Sequence, residues 1–403
     1  MFFSQRALQM QASPIRRLIP YAEQAKEKGI EVFHLNIGQP DIPTPRVFFE
    51  ALEKYPSKVV PYSHSAGTRE LREAFSDYYR RWDVDLDIEE IIITNGGSEA
   101  IIFALSVVAD PGDEVLVVEP FYANYKGFAG MANVHLVPVA ADPEKGYELP
   151  STEEFEAHIT PKTRAIIFSN PCNPTGAVYP KKDLLRLLDF AQKHDLIVIA
   201  DEVYREFTFD GLEPYSILSF KNFQDRIVLV DSVSKRYSCC GARVGLIASK
   251  IKPLMTEVMK MAQARLCPPT MEQVGALAMV NLPPEYITQV RDEYQLRRDI
   301  VYGELSRVPG LSFKKPQGAF YLAVKLPVDN SESFVKWMLT DFHLNGKTTM
   351  VAPLDGFYAT PEGGLQEIRI AYVLKHEHLK EACEVLRLGL ERYMSLTGTI
   401  PAV

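Results

Sequence analysis

Short apolar runs alternate with amphipathic stretches between residues 57 and 283 of the chain. Such alternation is typical of repeated strand–helix units. The apolar runs contain few polar residues, and strands of that kind are buried on both faces, which favours a largely parallel sheet covered by helices. The predicted strands are Ile91–Thr94, Glu114–Glu119, Arg164–Ser169, Leu196–Asp201 and Arg226–Ser232.

Two helices are predicted between these strands. The stretch Ser98–Ala109 is apolar, follows Asn95-Gly96-Gly97 and is ended by Pro-Gly-Asp. Apolar residues recur at helical spacing over residues 181–194 and predict a second helix. The residues expected on its buried face are Leu184, Leu185, Leu188 and Ala191.

The two ends of the chain have a different pattern. After residue 284 a polar helix is followed by two apolar runs, Gly318–Leu326 and Glu367–Val373, and by a closing helix. An isolated apolar run, Val32–Gly38, lies near the start. We therefore expect a large domain at residues 57–283, and a small α+β domain formed by residues 1–56 and 284–403, with an N-terminal arm.

Composition and charge narrow the classes of protein. The 403 residues are 46% hydrophobic and 24% charged, which is ordinary for a globular protein of two domains. A net charge of −8 offers no attraction to nucleic acid or to an anionic membrane. The five cysteines are odd in number and not spaced as ligand pairs, which predicts no metal site and a reducing, cytoplasmic location. The N-terminus is too polar for a signal peptide, and no apolar run approaches the length of a membrane span.

Chemistry-bearing residues follow the predicted strands. In open α/β sheets ligands bind beyond the carboxyl ends of the strands. Gly96-Gly97-Ser98 at a helix start is suited to an anion, which Ser232, Ser234 and Arg243 could also reach. Taken alone, the glycine pair is equally a tight turn and Arg243 a surface ion pair.

More than one interpretation is open for each of Lys235, Asp201, Tyr204 and Asn173. Lys235 is a charged turn residue or a reactive amine at a strand end. Asp201 is a helix cap, an ion-pair partner of Arg205, or a carboxylate that pairs with a protonated pyridine nitrogen. Tyr204 is a packing residue or a donor to a phenolate-like oxygen. Asn173 belongs to an ordinary turn or is aimed by its flanking prolines.

Five motifs follow one another along the chain: "PYSHSAGTRELREA", "NPCNPTG", "DEVY", "SVSK" followed by Gly-Ala-Arg-Val-Gly, and "IRIAY". In this order they resemble those of the class I/II aminotransferases, the fold-type I pyridoxal-phosphate enzymes related to aspartate aminotransferase. The resemblance extends from Gly38 to Arg369. It implies an α/β fold, with a large domain whose mainly parallel sheet is sandwiched by helices and a smaller α+β domain.

The resemblance also implies roles around pyridoxal 5′-phosphate. Lys235 would form the Schiff base with the cofactor aldehyde and then move the proton between the substrate's Cα and the cofactor's C4′. Asp201 would keep the pyridine nitrogen protonated. Tyr204 and Asn173 would bond the phenolic oxygen, and Tyr122 would stack on the ring.

The remaining implied contacts concern the phosphate and the substrate. The phosphate would be held by the backbone of Gly97, Ser98 and Glu99, the hydroxyls of Ser232 and Ser234, and Arg243. Tyr62 would reach the phosphate in a neighbouring subunit, which implies a homodimer with shared sites. Arg369 would grip the α-carboxylate of the substrate, with Gly38 and Asn173 adding contacts.

The leading interpretation is ping-pong transamination between an amino acid, aspartate first, and a 2-oxo acid, 2-oxoglutarate first, through the Schiff base on Lys235. The alternatives are an aminotransferase for aromatic or small neutral amino acids, and a lyase or cyclopropane-forming synthase. One subgroup of aspartate aminotransferases has a lysine where this chain has Ser98. Arg265 lies where some relatives place the arginine for the side-chain carboxylate, but it is equally interpretable as a solvated arginine on a helix end.

Overall fold

The computed structural model describes residues 2–11 and 13–398; residues 1, 12 and 399–403, which belong to the predicted small domain, lie outside this range. The strands are β1 Glu31–His34, β2 Ile91–Asn95, β3 Glu114–Glu119, β4 His135–Ala140, β5 Thr163–Ser169, β6 Ile197–Asp201, β7 Ile227–Ser232, β8 Val244–Ala248, β9 Tyr321–Lys325, β10 Lys347–Met350, β11 Ala352–Pro353 and β12 Glu367–Ala371. The helices are α1 Gln5–Gln9, α2 Ile19–Glu27, α3 Arg46–Glu53, α4 Arg69–Arg80, α5 Gly96–Val108, α6 Asn124–Ala132, α7 Thr152–Glu156, α8 Lys181–Lys193, α9 Lys252–Ala264, α10 Thr270–Val280, α11 Pro284–Leu305, α12 Ser331–Thr340 and α13 His376–Thr397.

A seven-stranded sheet, in the order β2-β8-β7-β6-β5-β3-β4, forms the centre of the larger part of the fold. Strands β7, β6, β5, β3 and β4 pair in parallel, whereas β8 runs antiparallel to both β2 and β7. The prediction of a mainly parallel sheet covered by helices is therefore confirmed. All five predicted strands lie in this sheet, and β4 and β8 complete it.

The helix α8 covers the sheet with a face that differs from the predicted one at a single residue. Leu184, Leu188 and Ala191 are buried as expected, together with Leu187. Leu185 is instead 41% exposed. Residues three or four positions apart lie on the same face of a helix, and Leu184, Leu187, Leu188 and Ala191 are spaced in this way. Leu185 follows Leu184 directly and is rotated from it by about 100°, so it lies outside the buried face.

The rest of the fold contains two further sheets. Strands β11, β12 and β9 form an antiparallel sheet in that order, and β1 pairs in parallel with β10. Helices α11 and α13 pack against each other, and their buried residues join an apolar core with Phe320 and Leu322. The division of the chain at residues 57 and 284 stays a prediction. The structure also packs α3 on α10, where the ring of Phe48 lies over Gly275.

The sheet topology determines where polar side chains meet. Because β5, β6 and β7 are parallel neighbours, their carboxyl ends lie on one edge, and Asp201 and Ser232 are the last residues of β6 and β7. Strands β9 and β12 bring Tyr321 and Arg369 to the same place. Within the described residues no helix is both long and apolar enough to cross a membrane.

Candidate active site

A cavity of about 300 Å³ lies at the carboxyl edge of the central sheet. The structure brings most of the predicted site residues together in its wall. They are Gly38, Gly97, Ser98, Tyr122, Asn173, Asp201, Tyr204, Ser232, Ser234, Lys235, Arg243 and Arg369.

One end of the pocket is formed by the start of α5. The first amides of a helix have no intrahelical acceptor, and the N-cap residue Asn95 makes no side-chain capping bond. Gly96 has φ +73°, and a Cβ on it would lie 2.3 Å from Nη2 of Arg243. The hydroxyls of Ser232 and Ser234, 2.7 Å apart, lie in the same wall. Open amides, hydroxyls and a guanidinium together suit an anion with several oxygens.

Arg243 carries an unneutralised charge at this end. Its Nη1 and Nη2 donate to the carbonyl oxygens of Cys240, at 3.1 Å, and Asn95, at 3.3 Å. Within the described residues no carboxylate lies at ion-pair distance from it. Carbonyl acceptors orient a guanidinium without neutralising its charge, so the geometry favours a bound anion over the surface ion pair considered from the sequence.

Asp201 is a buried carboxylate with two neutral donors. The hydroxyl of Tyr125 donates to Oδ2 at 2.8 Å, and the amide of Val203 donates to Oδ1 at 3.2 Å. Burial raises the pKa of Asp201 from its ordinary 3.8 to about 6; the two hydrogen bonds oppose this shift, whereas Asp231 and Glu202 add to it. The carboxylate therefore lies beside the pocket without a cationic partner.

The alternative that Asp201 pairs with Arg205 is wrong. Arg205 donates to Glu202 at 2.5 Å and to Asp231 at 3.2 Å, and its side chain is almost completely buried. Arg236, next to Lys235, also binds Asp231, at 2.5 Å. Both arginines are therefore paired with other carboxylates, and neither forms an ion pair with Asp201.

Lys235 lies in the turn that follows β7. Its Nζ donates to the carbonyl oxygen of Gly38 at 2.9 Å and lies 3.6 Å from Sγ of Cys240. Burial lowers the pKa of this ammonium, but the hydroxyls of Tyr321 and Tyr122 and the Cys240 sulfur outweigh burial, so that the pKa lies above its ordinary value. The lysine is held by neutral acceptors rather than by an ion pair, and it faces the pocket.

Tyr321 is a site residue that the sequence analysis missed. Its hydroxyl lies 2.7 Å from the hydroxyl of Tyr204. A Cβ on Gly38 would lie only 1.8 Å from the Tyr321 hydroxyl, so glycine is required there for the approach of this ring. Nothing local distinguishes Tyr321 from the other apolar residues of its strand, since its role depends on which elements pack beside it.

Replacing Gly38 with alanine is expected to displace Tyr321 and to break its bond with Tyr204. We expect kcat/KM to fall by about 10-fold or more, because reacting groups lose their alignment. Overpacking should also lower the free energy of unfolding by about 1–3 kcal/mol. Steady-state kinetics and thermal unfolding measure both effects.

The control for this change is Gly303→Ala in α11. A Cβ on Gly303 would meet no atom within 4 Å, and alanine favours a helix. This variant should keep its activity and should not lose stability. A Gly38→Ala variant that matched the control in both measurements would contradict the packing argument.

Arg369 is a buried cation without a carboxylate partner among the described residues. It is 1% exposed, and its Nη1 and Nη2 donate to Oδ1 of Asn173 at 2.9 Å and to the carbonyl oxygen of Asn36 at 2.7 Å. Its Nε has no hydrogen-bond partner, and its guanidinium lies 4.4 Å from the ring centre of Tyr321. Burial lowers the pKa of Arg369, as expected for a charge that lacks a counter-ion. An unpaired buried charge is costly, which points to an anionic ligand.

Tyr122 completes the inner wall, with the buried Tyr125 behind it. Tyr122 lines the pocket, and its hydroxyl accepts from Nδ2 of Asn124 at 2.7 Å. Its ring meets that of Tyr125 edge to face at 5.6 Å. Tyr122 was predicted from the sequence, whereas Tyr125 and Asn124 of the same "FYANY" segment were not.

Three predicted site residues lie outside this pocket. Glu99, Arg265 and Tyr62 line a separate surface cavity. Arg265 pairs with Glu99 at 3.3 Å and donates to the carbonyl oxygens of Ser65 and Ile93 at 3.3 and 3.1 Å. Within one chain, therefore, Arg265 does not face Lys235. It ends α9, as one interpretation expected, but it pairs with Glu99 instead of being solvated. A role of Arg265 in binding substrate stays a prediction.

Comparisons with known proteins identify the class of this fold and site. The chain belongs to the family of aminotransferases of class I and II, whose model matches residues 30–386. This family is pyridoxal-phosphate-dependent, and its solved members have fold type I. The chain is accordingly an aminotransferase, as its motifs predicted.

The relatives of the chain are named for different amino-acid substrates. The chain is 33% identical over 392 residues to aromatic-amino-acid aminotransferase 2 of Thermococcus litoralis, which covers 95% of this chain and 97% of that protein. It is 32% identical over 379 residues to aspartate aminotransferase of Pyrococcus abyssi, covering 92% and 94%. The structure of alanine aminotransferase from Pyrococcus furiosus superposes with a TM-score of 0.88 at 31% identity, covering 97% of this chain and 100% of that chain.

Proposed function

We propose that this chain catalyses ping-pong transamination between an amino acid and a 2-oxo acid with bound pyridoxal 5′-phosphate, and that aspartate and 2-oxoglutarate are its leading substrates. One observation carries the proposal. A single pocket contains an amine (Lys235), a buried carboxylate without a cation (Asp201) and a buried guanidinium without a carboxylate (Arg369). These three groups complement an aldehyde, a pyridinium and a substrate carboxylate.

The residues fit the cofactor at both ends. The open amides at the start of α5, with Ser232, Ser234 and Arg243, suit a phosphate, and the missing Cβ of Gly96 lets the guanidinium of Arg243 approach this helix start. Asp201 suits the protonated ring nitrogen, and Tyr204 and Asn173 suit the phenolic oxygen. Tyr122 offers an aromatic face for stacking. When bound, pyridoxal phosphate supplies an electron sink for the electron pair of the substrate's Cα–H bond.

Asp201 and Lys235 have separate roles in the proposed reaction. The Asp201 carboxylate stabilises positive charge on the ring nitrogen, and this interaction is strongest when negative charge develops elsewhere in the ring. Once free and neutral, Nζ of Lys235 accepts the proton from the substrate's Cα and holds it for return. The neutral neighbours of Lys235 allow it to change protonation without breaking an ion pair.

Arg369 is proposed to bind the substrate's α-carboxylate. Its contacts with Asn173 and Asn36 fix the plane of the guanidinium, and the ring of Tyr321 supports one face. A planar, oriented fork is suited to a bidentate carboxylate. Since every amino-acid substrate has an α-carboxylate, this contact serves all of them alike.

Replacing Arg369 with glutamine is therefore expected to lower kcat/KM for aspartate and alanine by similar factors of about 10²-fold. Its control is Arg387→Gln, which removes a surface arginine paired with Glu391 on α13 and should leave both values unchanged. Kinetics with the two substrates measure the effect. A loss confined to aspartate would assign Arg369 to the side-chain carboxylate instead.

The second subunit is part of the proposal. Tyr62 is 79% exposed, and its segment is tied to the start of α10 by the bond from Thr270 Oγ1 to the carbonyl oxygen of Pro61, at 3.0 Å. We propose that it reaches the cofactor phosphate in a second copy of the chain, which makes the enzyme a homodimer. The free cysteines of the described residues support a reducing compartment, and we propose the cytoplasm.

The names of the relatives favour a second candidate, an aminotransferase for aromatic or small neutral amino acids. A panel of aspartate, alanine and phenylalanine against 2-oxoglutarate separates the two. We expect the highest kcat/KM with aspartate, and parallel lines in double-reciprocal plots. A higher value with phenylalanine or alanine would select the second candidate. Release of ammonia without a new amino acid would indicate a lyase.

A further inference from the structure

Arg16 is a cation of the pocket that the proposed function has not used. It lines the same cavity as Lys235 and Arg369, although it comes from the N-terminal arm before α2. Within the described residues it has no carboxylate at ion-pair distance. An arginine that faces a cavity without a counter-ion is a candidate for binding an anionic part of a ligand.

The neighbours of Arg16 fix its segment against the rest of the fold. Arg17 pairs with Asp355 at 2.6 Å and with Glu332 at 2.8 Å. Pro14 packs closely on Gly356: a Cβ added to Gly356 would lie only 2.1 Å from the Cβ of Pro14. The arm is therefore anchored on both sides of Arg16.

Backbone hydrogen bonds also shape this segment. The amide of Arg16 donates to the carbonyl oxygen of Ser13, and the amide of Ile19 donates to that of Arg16, both at 3.1 Å. Leu18 is 2% exposed and belongs to the apolar core. The segment thus has a defined conformation that presents the side chain of Arg16 to the pocket, whereas the adjacent Arg17 is occupied by acids.

The charges in the wall of the pocket show that Arg16 lacks an anionic partner. Its wall contains four cationic residues, Arg16, Lys235, Arg243 and Arg369, and one carboxylate, Asp201. In the proposed function Arg243 meets a phosphate, Arg369 meets an α-carboxylate, and Asp201 meets the ring nitrogen. The amine of Lys235 is used in the covalent bond to the cofactor. One guanidinium remains without an anion.

We propose that Arg16 binds the second carboxylate of a dicarboxylic substrate. The N-terminal arm of each subunit then makes that subunit's site specific for acidic amino acids and the corresponding oxo acids. The inference rests on the proposed function and identifies its substrate class. Arg265, which the sequence offered as one candidate for this role, has its guanidinium engaged by Glu99 and two carbonyl oxygens of its own chain. Ser98, also in the wall, carries no charge.

Single-turnover half-reactions of the holoenzyme test this proposal. Each amino acid is mixed alone with the enzyme, and the absorbance change of the cofactor is followed, so that no dicarboxylic co-substrate is needed. For Arg16→Gln we expect the second-order rate constant with aspartate and glutamate to fall between about 10-fold and 100-fold. With alanine it should fall less than about 3-fold, and Arg16→Lys should restore part of the loss. Binding of succinate, measured by calorimetry, should weaken in parallel.

Two further variants make the test selective. Arg46→Gln removes an exposed arginine paired with Glu50 on α3 and should change none of these values. Arg265→Gln should not reduce the preference for aspartate over alanine. Equal losses with aspartate and alanine in Arg16→Gln, no loss in either, or a selective loss in Arg265→Gln would overturn the assignment. Transamination of alanine by an enzyme that rejects every dicarboxylate would also overturn it, whereas absence of transamination with any amino acid would overturn the proposed function itself.

Discussion

Replacing Lys235 with alanine is expected to lower kcat by at least about 10⁴-fold, because the change removes both the covalent anchor and the group that accepts the Cα proton. The phosphate end of the pocket, at Gly97, Ser232 and Arg243, is untouched, so that some binding of the cofactor should remain. Rapid-mixing kinetics and cofactor titration measure the two effects separately.

The control for this variant is Lys221→Ala. Lys221 is two-thirds exposed and pairs only with Asp83 on the surface, so this change should leave turnover and cofactor binding unaltered. Thermal unfolding should show that both variants are folded. A Lys235→Ala enzyme that turned over near the wild-type rate would remove the lysine from the mechanism.

Replacing Asp201 with asparagine is expected to slow removal of the Cα proton by about 10²- to 10⁴-fold. Asparagine has nearly the same shape and can still accept the hydrogen bond from Tyr125 or Val203, but it does not stabilise a charged ring nitrogen. The loss should therefore appear in single-turnover kinetics rather than in the fold. Equal rates for the variant and the wild type would show that Asp201 only organises its turn.

Although Asp201→Asn is expected to slow catalysis, it should stabilise the cofactor-free chain against unfolding. The pKa of Asp201 is about 6 in the fold against an ordinary 3.8, so the folded chain binds its proton more tightly than the unfolded chain does. Stability is thus lost as the pH rises through this interval, by up to about 3 kcal/mol above it. Asp201→Asn should raise the free energy of unfolding by about 1–3 kcal/mol at pH 8 and have little effect at pH 4. A destabilised variant at pH 8 would contradict the assigned cause.

The central sheet was predictable because its strands are buried on both faces. Runs such as Leu196–Asp201 and Arg226–Ser232 differ by only one residue from the observed β6 and β7. The edge strand β4, which is only partly buried and contains Pro138, carries a weaker signal. The strand order, and the antiparallel insertion of β8, depend on which crossovers pack best and are not encoded in any single segment.

The site was predictable where its residues follow strands or belong to motifs. Asp201, Lys235 and Arg369 meet in one pocket as the sequence indicated. Tyr321 and Arg16 were missed because each is placed by contacts between distant parts of the chain, Tyr321 by Gly38 and Arg16 by the anchoring of its arm. Arg265 shows the limit of position along the chain as a signal, since within one subunit it pairs with Glu99 in another cavity and its role stays a prediction.

Borohydride reduction of the holoenzyme, followed by peptide mapping, is the most direct test of Lys235 as the lysine that binds the cofactor. We expect pyridoxal phosphate to become permanently attached to the peptide that contains Lys235 and to no other lysine. The visible absorbance of the enzyme should change with this attachment, and Lys235→Ala should remain unlabelled. Attachment at a different lysine, or no attachment in an enzyme that transaminates, would contradict the central claim that Lys235 carries the cofactor.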